Sequence, residues 1–449
     1  MSKLTEEPVL KTLFRMALPM LAGTIAMNTY NFIDTWFVAK LGTIPLAAMG
    51  FSFPVVTLLT FIAGGTGTGV TTLTSHALGR KNRSDASKIA THGILLVVII
   101  SALIAVGGYL SITPLFRWLG ADSRTMPQVK AYMRIWYLGA VFMALPMLGN
   151  GILISLGDSK AASRFMVLGA VVNCVLDPVM IFGFAFFPAM GISGAALATV
   201  LSQVVSTLWL LYLLIVKHKL LHPPMAHMTS FPASCRLIFD FALPSILSMI
   251  LMPVSSAVIT SLVGRYGAEA VAAASAAGRV EMFSFMIPMA LGMSLVPFVS
   301  QNYGGRHHDR ILRARTYSIR FALFYGVLIA GVLFATAPAL ARLFSDDPRV
   351  TGLFVLCLRI TSAGFGMMEV HRYCGFFFTG IHRPFLSTLI NMIRVLVLLV
   401  PFSFLGSSLF GIRGIFAGRL VTDLIAGIFS VVLVFRVLKS RRGRHPEEQ

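Results

Sequence analysis

Charge is scarce in this chain, and cysteine is scarcer. Only 12% of its 449 residues are Asp, Glu, Lys or Arg, against 56% hydrophobic, and the mean hydropathy is +0.82. Soluble domains carry about 25% charged residues, so this composition excludes a soluble enzyme and indicates a polytopic membrane protein. The four cysteines, Cys174, Cys235, Cys357 and Cys374, lie in or beside apolar segments without metal-type spacing. They read as small packed hydrophobes. Signatures of chemistry are missing as well. The glycine run GGTGTG at 64–69 lacks the Lys-Ser/Thr of a phosphate loop and lies in an apolar span, where it suits close helix packing. With no nucleotide motif, metal triad or nucleophile constellation, no enzyme activity and no organic cofactor are expected. No cleavable signal is apparent at the start, and the first helix is expected to stay as an anchor.

The little charge present is mostly basic, 37 Lys and Arg against 17 Asp and Glu, for a net +20. No RNA- or DNA-binding motif accompanies it, so no nucleic acid partner is expected. The bases fall in loops, where they set topology and meet lipid head groups. One side carries Arg80, Lys81, Arg83, Lys160, Lys217, Arg306, Arg310, Arg313 and the tail with Arg441, Arg442 and Arg444. The other side carries far fewer, so both termini and the central linker are expected on the cytoplasmic side of a cell inner membrane.

Apolar runs of spanning length recur twelve times, at about 14–39, 46–74, 88–112, 130–155, 162–186, 190–216, 237–263, 271–299, 317–337, 351–378, 386–405 and 412–438. The fold class expected is an all-α membrane protein with twelve transmembrane helices in two six-helix bundles. Residues 1–216 form the first lobe, 217–236 a cytoplasmic linker with Pro223 and Pro224, 237–438 the second lobe and 439–449 a cytoplasmic tail.

An internal repeat, which sets position 17 against position 242 and keeps that offset, supports the division. Ala17-Leu18-Pro19 aligns with Ala242-Leu243-Pro244, Gly42 with Gly267, Ala47-Ala48 with Ala272-Ala273, Gly79 with Gly304 and Arg134 with Arg359. After a shorter loop, Gly191-Ile192 and Gly194 align with Gly411-Ile412 and Gly414. Two copies of six helices enter the membrane in the same sense, so a pseudo-twofold axis along the membrane normal is expected, with substrate between the copies. The copies differ where chemistry is concerned. Asp34 faces Ile259 in this alignment, and Asp177 faces Val400.

Asp34 lies well inside the first apolar run, FRMALPMLAGTIAMNTYNFIDTWFVA, with Tyr30 and Asn31 just before it. A carboxylate at that depth costs roughly 2.5–3.5 kcal/mol on insertion scales. Pro19 in the same helix removes a backbone hydrogen bond and lets the helix bend. Asn173 and Asp177 are four apart, as are Tyr30 and Asp34, so each pair shares a helix face. If the faces meet, two carboxylates in a dry site hold a proton between them or share a cation, H+ or Na+.

The stretch TYNFIDTWFVAKLG, the following LAAMGFSFP, the Asn173-to-Pro178 pattern NxxxDP and the sequence GISGAALAT at 191–199 resemble the multidrug and toxic compound extrusion (MATE) transporters. Within that family they are most similar to the DinF-type prokaryotic branch, over nearly the whole chain. The resemblance implies two six-helix lobes in a V around a central cleft, and expulsion of varied, often cationic and aromatic compounds against proton or sodium entry. It implies Asp34 as the main coupling residue, joined by Asn173 and Asp177, with Tyr132 and Asn150 as further polar cavity residues and Pro19 at the bend of helix 1. Other branches carry a helix 7 glutamate where this chain has Met252.

The second half keeps charges of its own. Glu281 lies two residues from Arg279, and Glu369, His371 and Arg372 are close together. An internal pair of Glu369 with Arg372 or His371 is expected. The alternative is that Glu281 or Glu369 binds a cationic substrate or a second ion. Arg419 and Asp423, four apart, are expected to pair with each other.

The function expected is a secondary active multidrug efflux antiporter that works by alternating access as a monomer in the bilayer. The rivals are a lipid-linked oligosaccharide or lipid flippase of the same architecture, favoured by a wide arginine-lined cleft, and a passive channel.

Overall fold

The computed structural model describes residues 4–184, 188–221 and 228–442, and the regular elements among them are helices. Pro223 and Pro224 of the expected linker, and the tail from residue 443, lie outside the described residues. In the first half the helices are α1 (Val9–Lys40), α2 (Thr43–Gly79), α3 (Arg83–Trp118), α4 (Met126–Leu138), α5 (Ala140–Ser155), α6 (Ser159–Phe182) and α7 (Ile192–Tyr212). A π-helical turn, Leu213–Lys217, extends α7. In the second half they are α8 (Phe231–Gly264), α9 (Ala268–Ser284), α10 (Met286–Gly304), α11 (His308–Phe344), α12 (Pro348–Ser362), α13 (Phe365–Gly380), α14 (Pro384–Met392), a π-helical segment Ile393–Leu399 and α15 (Val400–Arg442).

Among the described residues, eight runs are long and apolar enough to cross a bilayer, and three bent helix pairs (α4 with α5, α9 with α10, α12 with α13) raise the number to 11. The last run, Pro384–Lys439, has 56 residues. At about 1.5 Å per residue that is roughly 84 Å of helix, well over twice the ~30 Å of a hydrocarbon core. It is divided at Gly411, whose φ of 61° and ψ of −142° are not helical. Twelve spans result, as the sequence indicates, in the two-lobe architecture.

Three of the expected helices are broken. The pair α4–α5 bends by 53°, α9–α10 by 51° and α12–α13 by 50°. At the first break Gly139 packs so close to Val200 of α7 that a Cβ would clash with it. The third break has Gly364, the counterpart of Gly139 in the repeat. The second follows from Pro288, which lacks an N–H and displaces the carbonyl four residues back. That carbonyl belongs to Ser284, and the Tyr325 hydroxyl donates to it at 2.7 Å. By contrast, α1 runs through Pro19 as one helix. The carbonyl that Pro19 leaves without its helical donor is that of Arg15, and Ser159 Oγ donates to it at 3.3 Å.

The duplication is visible in the backbone. Lys81 and Arg306, counterparts in the repeat, both have φ of 59°. Gly157 (78°) aligns with His382 (63°), Gly42 (112°) with Gly267 (103°) and Gly191 (56°) with Gly411 (61°). Left-handed conformations are uncommon for residues with a Cβ, so their recurrence at Lys81, Arg306 and His382 marks the same turns built twice.

The chain falls into two compact units. One is Arg15–Ile246, and the other is Leu4–Phe14 with the residues from Leu247 onward. The division therefore lies inside α8, later than the start expected for the second lobe at residue 237. The glycines of GGTGTG account for this. On α2, a Cβ at Gly69 would stand 2.8 Å from the Ile238 carbonyl, and one at Gly65 would collide with Ile246, so the first part of α8 packs on α2. In a bilayer such close approach substitutes for a hydrophobic driving force between helices. The start of α1 belongs to the second unit. Val9 and Leu13 join the apolar cluster of Phe298, Tyr373 and Phe377, and Arg310 donates to the carbonyls of Leu4 (3.0 Å) and Glu7 (2.6 Å). Cys357 and Cys374 are buried in apolar clusters of this unit, and all four thiols are free.

Candidate functional site

Four helices of the first unit bring polar side chains to one place. Helix α6 starts at Asp158, whose side chain accepts from the Ala161 N–H at 3.0 Å. The helix carries Asn173 and Asp177 on one face, and both are completely buried. Asn173 Nδ2 donates to Asp177 Oδ1 and to Thr199 Oγ1 of α7, each at 3.4 Å. Thr199 turns its own hydroxyl to the Ala195 carbonyl at 3.0 Å. From α1 comes Asp34, only 7% exposed. The Asp34 and Asp177 carboxyls lie within electrostatic range of each other, as do the hydroxyls of Tyr30 on α1 and Tyr132 on α4 with both acids.

The electrostatics of this cluster are one-sided. Asp34 Oδ1, Asp177 Oδ2 and Asn173 Oδ1 are buried without a hydrogen-bond donor. Neither acid takes part in an ion pair among the described residues. Buried anions without a partner are costly. A cluster of two carboxyls, an amide oxygen and two phenols can chemically take up positive charge, either a proton or a hard cation that prefers oxygen.

Two of the expected residues stand apart. Asn31 is exposed, and its amide donates to the Met27 carbonyl of its own helix at 2.9 Å. Asn150 is partly buried, with Nδ2 3.6 Å from the Met166 sulfur and Oδ1 unpartnered. Neither has a hydrogen bond to the acids. Thr199, the last residue of GISGAALAT, joins the cluster through Asn173. A hydroxyl at a helical position gives no sign of which neighbour it will meet.

In the second unit three buried acids, Glu281, Asp423 and Glu369, each lie beside an arginine. Glu281 on α9 receives Arg419 through Nη1 (3.1 Å) and Nη2 (2.7 Å), and also the Thr361 hydroxyl at 2.8 Å. Asp423 receives Arg394 at 3.0 and 2.6 Å. The expected pairing of Arg419 with Asp423 is thus incorrect. Both sit on α15 with the acid C-terminal to the base, the weaker order for an i,i+4 pair, and each long guanidinium instead reaches a buried carboxylate on another segment. Glu369 has Arg372 at 2.9 Å. His371 turns away, to Ser430 Oγ at 2.8 Å and Asn391 Oδ1 at 2.9 Å. Arg279 is exposed, and so is Met252, at 76%.

The MatE family model matches twice, at residues 19–179 and 244–405, two segments whose first residues, Pro19 and Pro244, are counterparts in the repeat. The chain is similar to a protein named FAD transporter from Shewanella oneidensis, with 34% identity over 434 residues, covering 97% of this chain and 96% of the relative. It is 28% identical over 423 residues to the probable multidrug resistance protein YpnP of Bacillus subtilis, covering 92% of each. Among solved structures, a point mutant of the Vibrio cholerae MATE transporter VcmN superimposes with a TM-score of 0.91 at 27% identity, over 96% of this chain and 97% of that one. Its duplicated helices and both matched segments place this chain in the MatE family, as a multi-pass membrane transporter of the MATE type.

Proposed function

We propose that this transporter is a secondary active efflux antiporter whose coupling ion, H+ or Na+, is held by Asp34, Asp177 and Asn173. One observation carries the reading: three oxygens of these residues are buried together without a donor. An occupied pocket is neutral or cationic, and an empty one leaves anionic charge in a dry space, so occupancy changes the relative energy of conformations that hydrate the pocket differently. Pro19 is proposed to let α1 bend in that exchange, with Tyr30 and Tyr132 lining the path. The DinF-type pattern of α1 and α6 supports the assignment. As copies of the sequence repeat the lobes are proposed as 1–216 and 237–438 about the linker 217–236, while in packing Leu4–Phe14 goes with the second unit and residues 237–246 with the first; both termini are proposed as cytoplasmic, in the inner membrane of the cell, and the protein as a monomer.

For cargo, the relative named a probable multidrug resistance protein supports several drugs, and the resemblance of the sequence motifs extends this to amphipathic cations. A second reading comes from the relative named FAD transporter. A flat aromatic carrying phosphate is favoured by one observation, the partly exposed Arg372 lying over Phe285.

The test is uptake of a fluorescent cation into everted vesicles, with proton and sodium gradients imposed separately. Dependence on one gradient, lost in Asp34→Asn, is expected. Transport that persists with both gradients collapsed would identify a passive channel and end the proposal.

A further inference from the structure

Among the described residues of the second unit, three buried carboxylates are each paired with a partly exposed arginine, and one pair differs from the others. Arg419 and Arg394 each make two hydrogen bonds to their acids, at 2.6–3.1 Å. Such two-pronged contacts use the arginine's planar fork and close the pair. Arg372 comes within 2.9 Å of Glu369 Oε1 through one nitrogen. The contact is not aligned as a hydrogen bond, and both Glu369 oxygens are buried without a donor. The acid is 1% exposed while the arginine side chain is 25% exposed. Its guanidinium lies 5.1 Å from the Phe285 ring, at the bend between α9 and α10, and Nη1 is 3.9 Å from the Met289 sulfur.

We infer that Arg372 is a recognition site for the oxyanion of a flat aromatic solute, with Glu369 as the internal counter-ion that the solute displaces. The inference deepens the cargo reading above and rests on it for its transport arm. An oxyanion reaching the open side of the guanidinium finds unused N–H donors in fork geometry, and the aromatic part finds Phe285 and the thioether of Met289. Once the arginine turns to the solute, Glu369 is left buried, and it takes up a proton from solvent. Apart from Arg372, the titratable groups facing Glu369 are Tyr325 of α11 and Tyr373 of α13. Their hydroxyls are committed to the carbonyls of Ser284 and Pro288. His371 faces Ser430 and Asn391, Asp423 is held by Arg394, and Arg315 lies along α13 near Cys374.

The experiment uses two rhodamine dyes of similar shape, sulforhodamine B with permanent sulfonates and cationic rhodamine 6G. Binding to the purified full-length protein is followed by fluorescence polarisation. Glu369→Gln frees the arginine and should tighten sulforhodamine B about tenfold, the usual worth of a charge-assisted hydrogen bond. Arg372→Gln should weaken it by a similar factor, and both variants should leave rhodamine 6G within about twofold. Wild-type affinity for sulforhodamine B should rise as pH falls, and Glu369→Gln should remove that dependence. The double variant Glu369→Gln/Arg372→Gln leaves no unpaired charge to unfold it, and should lose the anion while keeping the cation. Unchanged or weaker anion binding in Glu369→Gln would overturn the inference. So would equal loss of both dyes in the double variant, or stabilisation by phosphatidylglycerol through Arg372 without displacement by the dye. Failure of wild-type vesicles to transport either dye would count against the antiporter reading alone, since binding is read separately.

Discussion

Asn173 holds Asp177 from one helical turn away, with its amide nitrogen 3.4 Å from the nearer carboxylate oxygen and equally far from the Thr199 hydroxyl. The amide is thereby oriented. Its donor side serves the acid and the threonine, and its own oxygen is buried without a donor.

On the proposed coupling role, replacing Asn173 by Ala removes both an oxygen offered to the ion and the donor that orients Asp177. A loss of about 1–2 kcal/mol, or roughly tenfold in coupling-ion affinity, is expected. Thr199→Val, which lets the amide rotate, should cost less. Efflux rates measured against imposed ion concentration give the comparison.

Breaking the Glu281–Arg419 pair from one side leaves a buried charge without its partner. Glu281→Gln or Arg419→Gln should each destabilise by about 3–5 kcal/mol. Replacing both by apolar residues of similar volume, Glu281→Leu with Arg419→Met, should recover most of that loss. Thermal unfolding of the detergent-solubilised protein distinguishes the outcomes, and equal damage from single and double variants would contradict the pairing as the source.

Tyr325→Phe keeps the ring and removes the hydroxyl that serves the Ser284 carbonyl at the α9–α10 bend. A buried carbonyl left without a donor costs about 1–3 kcal/mol. Since Pro288 creates that need, Tyr325→Phe in a Pro288→Ala background should cost less, a coupling that a double-mutant cycle measures directly.

Asp158 ties the segment after α7 to the start of α6. Its carboxylate accepts from Lys217 at 2.7 Å and lies 3.1 Å from His218 Nε2, while Arg83 and Ser87 donate to the carbonyls of His218 and Leu220. The hydrogen bond with His218, followed by those from Lys217 and the Ala161 N–H, holds the Asp158 carboxyl well below the usual carboxylate range. A group depressed in the folded state stabilises above its unfolded value, near pH 4, and loses that contribution as the pH falls further. Asp158→Ala should therefore cost about 1 kcal/mol as a lost helix cap at neutral pH. The gap between variant and wild type should narrow only below about pH 4. Melting temperatures across pH 3–8 supply the check.

Much of this protein is set by the order of its residues. Spans of about twenty apolar residues must become helices in a bilayer, because lipid offers the backbone no hydrogen bonds. The internal repeat is legible because paired turns need the same glycines and prolines, and Asp34, Asn173 and Asp177 stand out because polar atoms are expensive where they lie. Local spacing, however, says only which side chains share a face. Tertiary structure decided that Arg419 meets Glu281, far away along the chain, rather than Asp423 one helical turn on. It also decided that Gly65 and Gly69 draw the start of α8 into the first unit, and that Pro288 breaks a span whose open carbonyl Tyr325 then serves. The physical reason is common to all three. A buried charge or carbonyl takes the partner that can reach it with good geometry, and that reach depends on which helices pack together, a relation that separation along the chain does not encode.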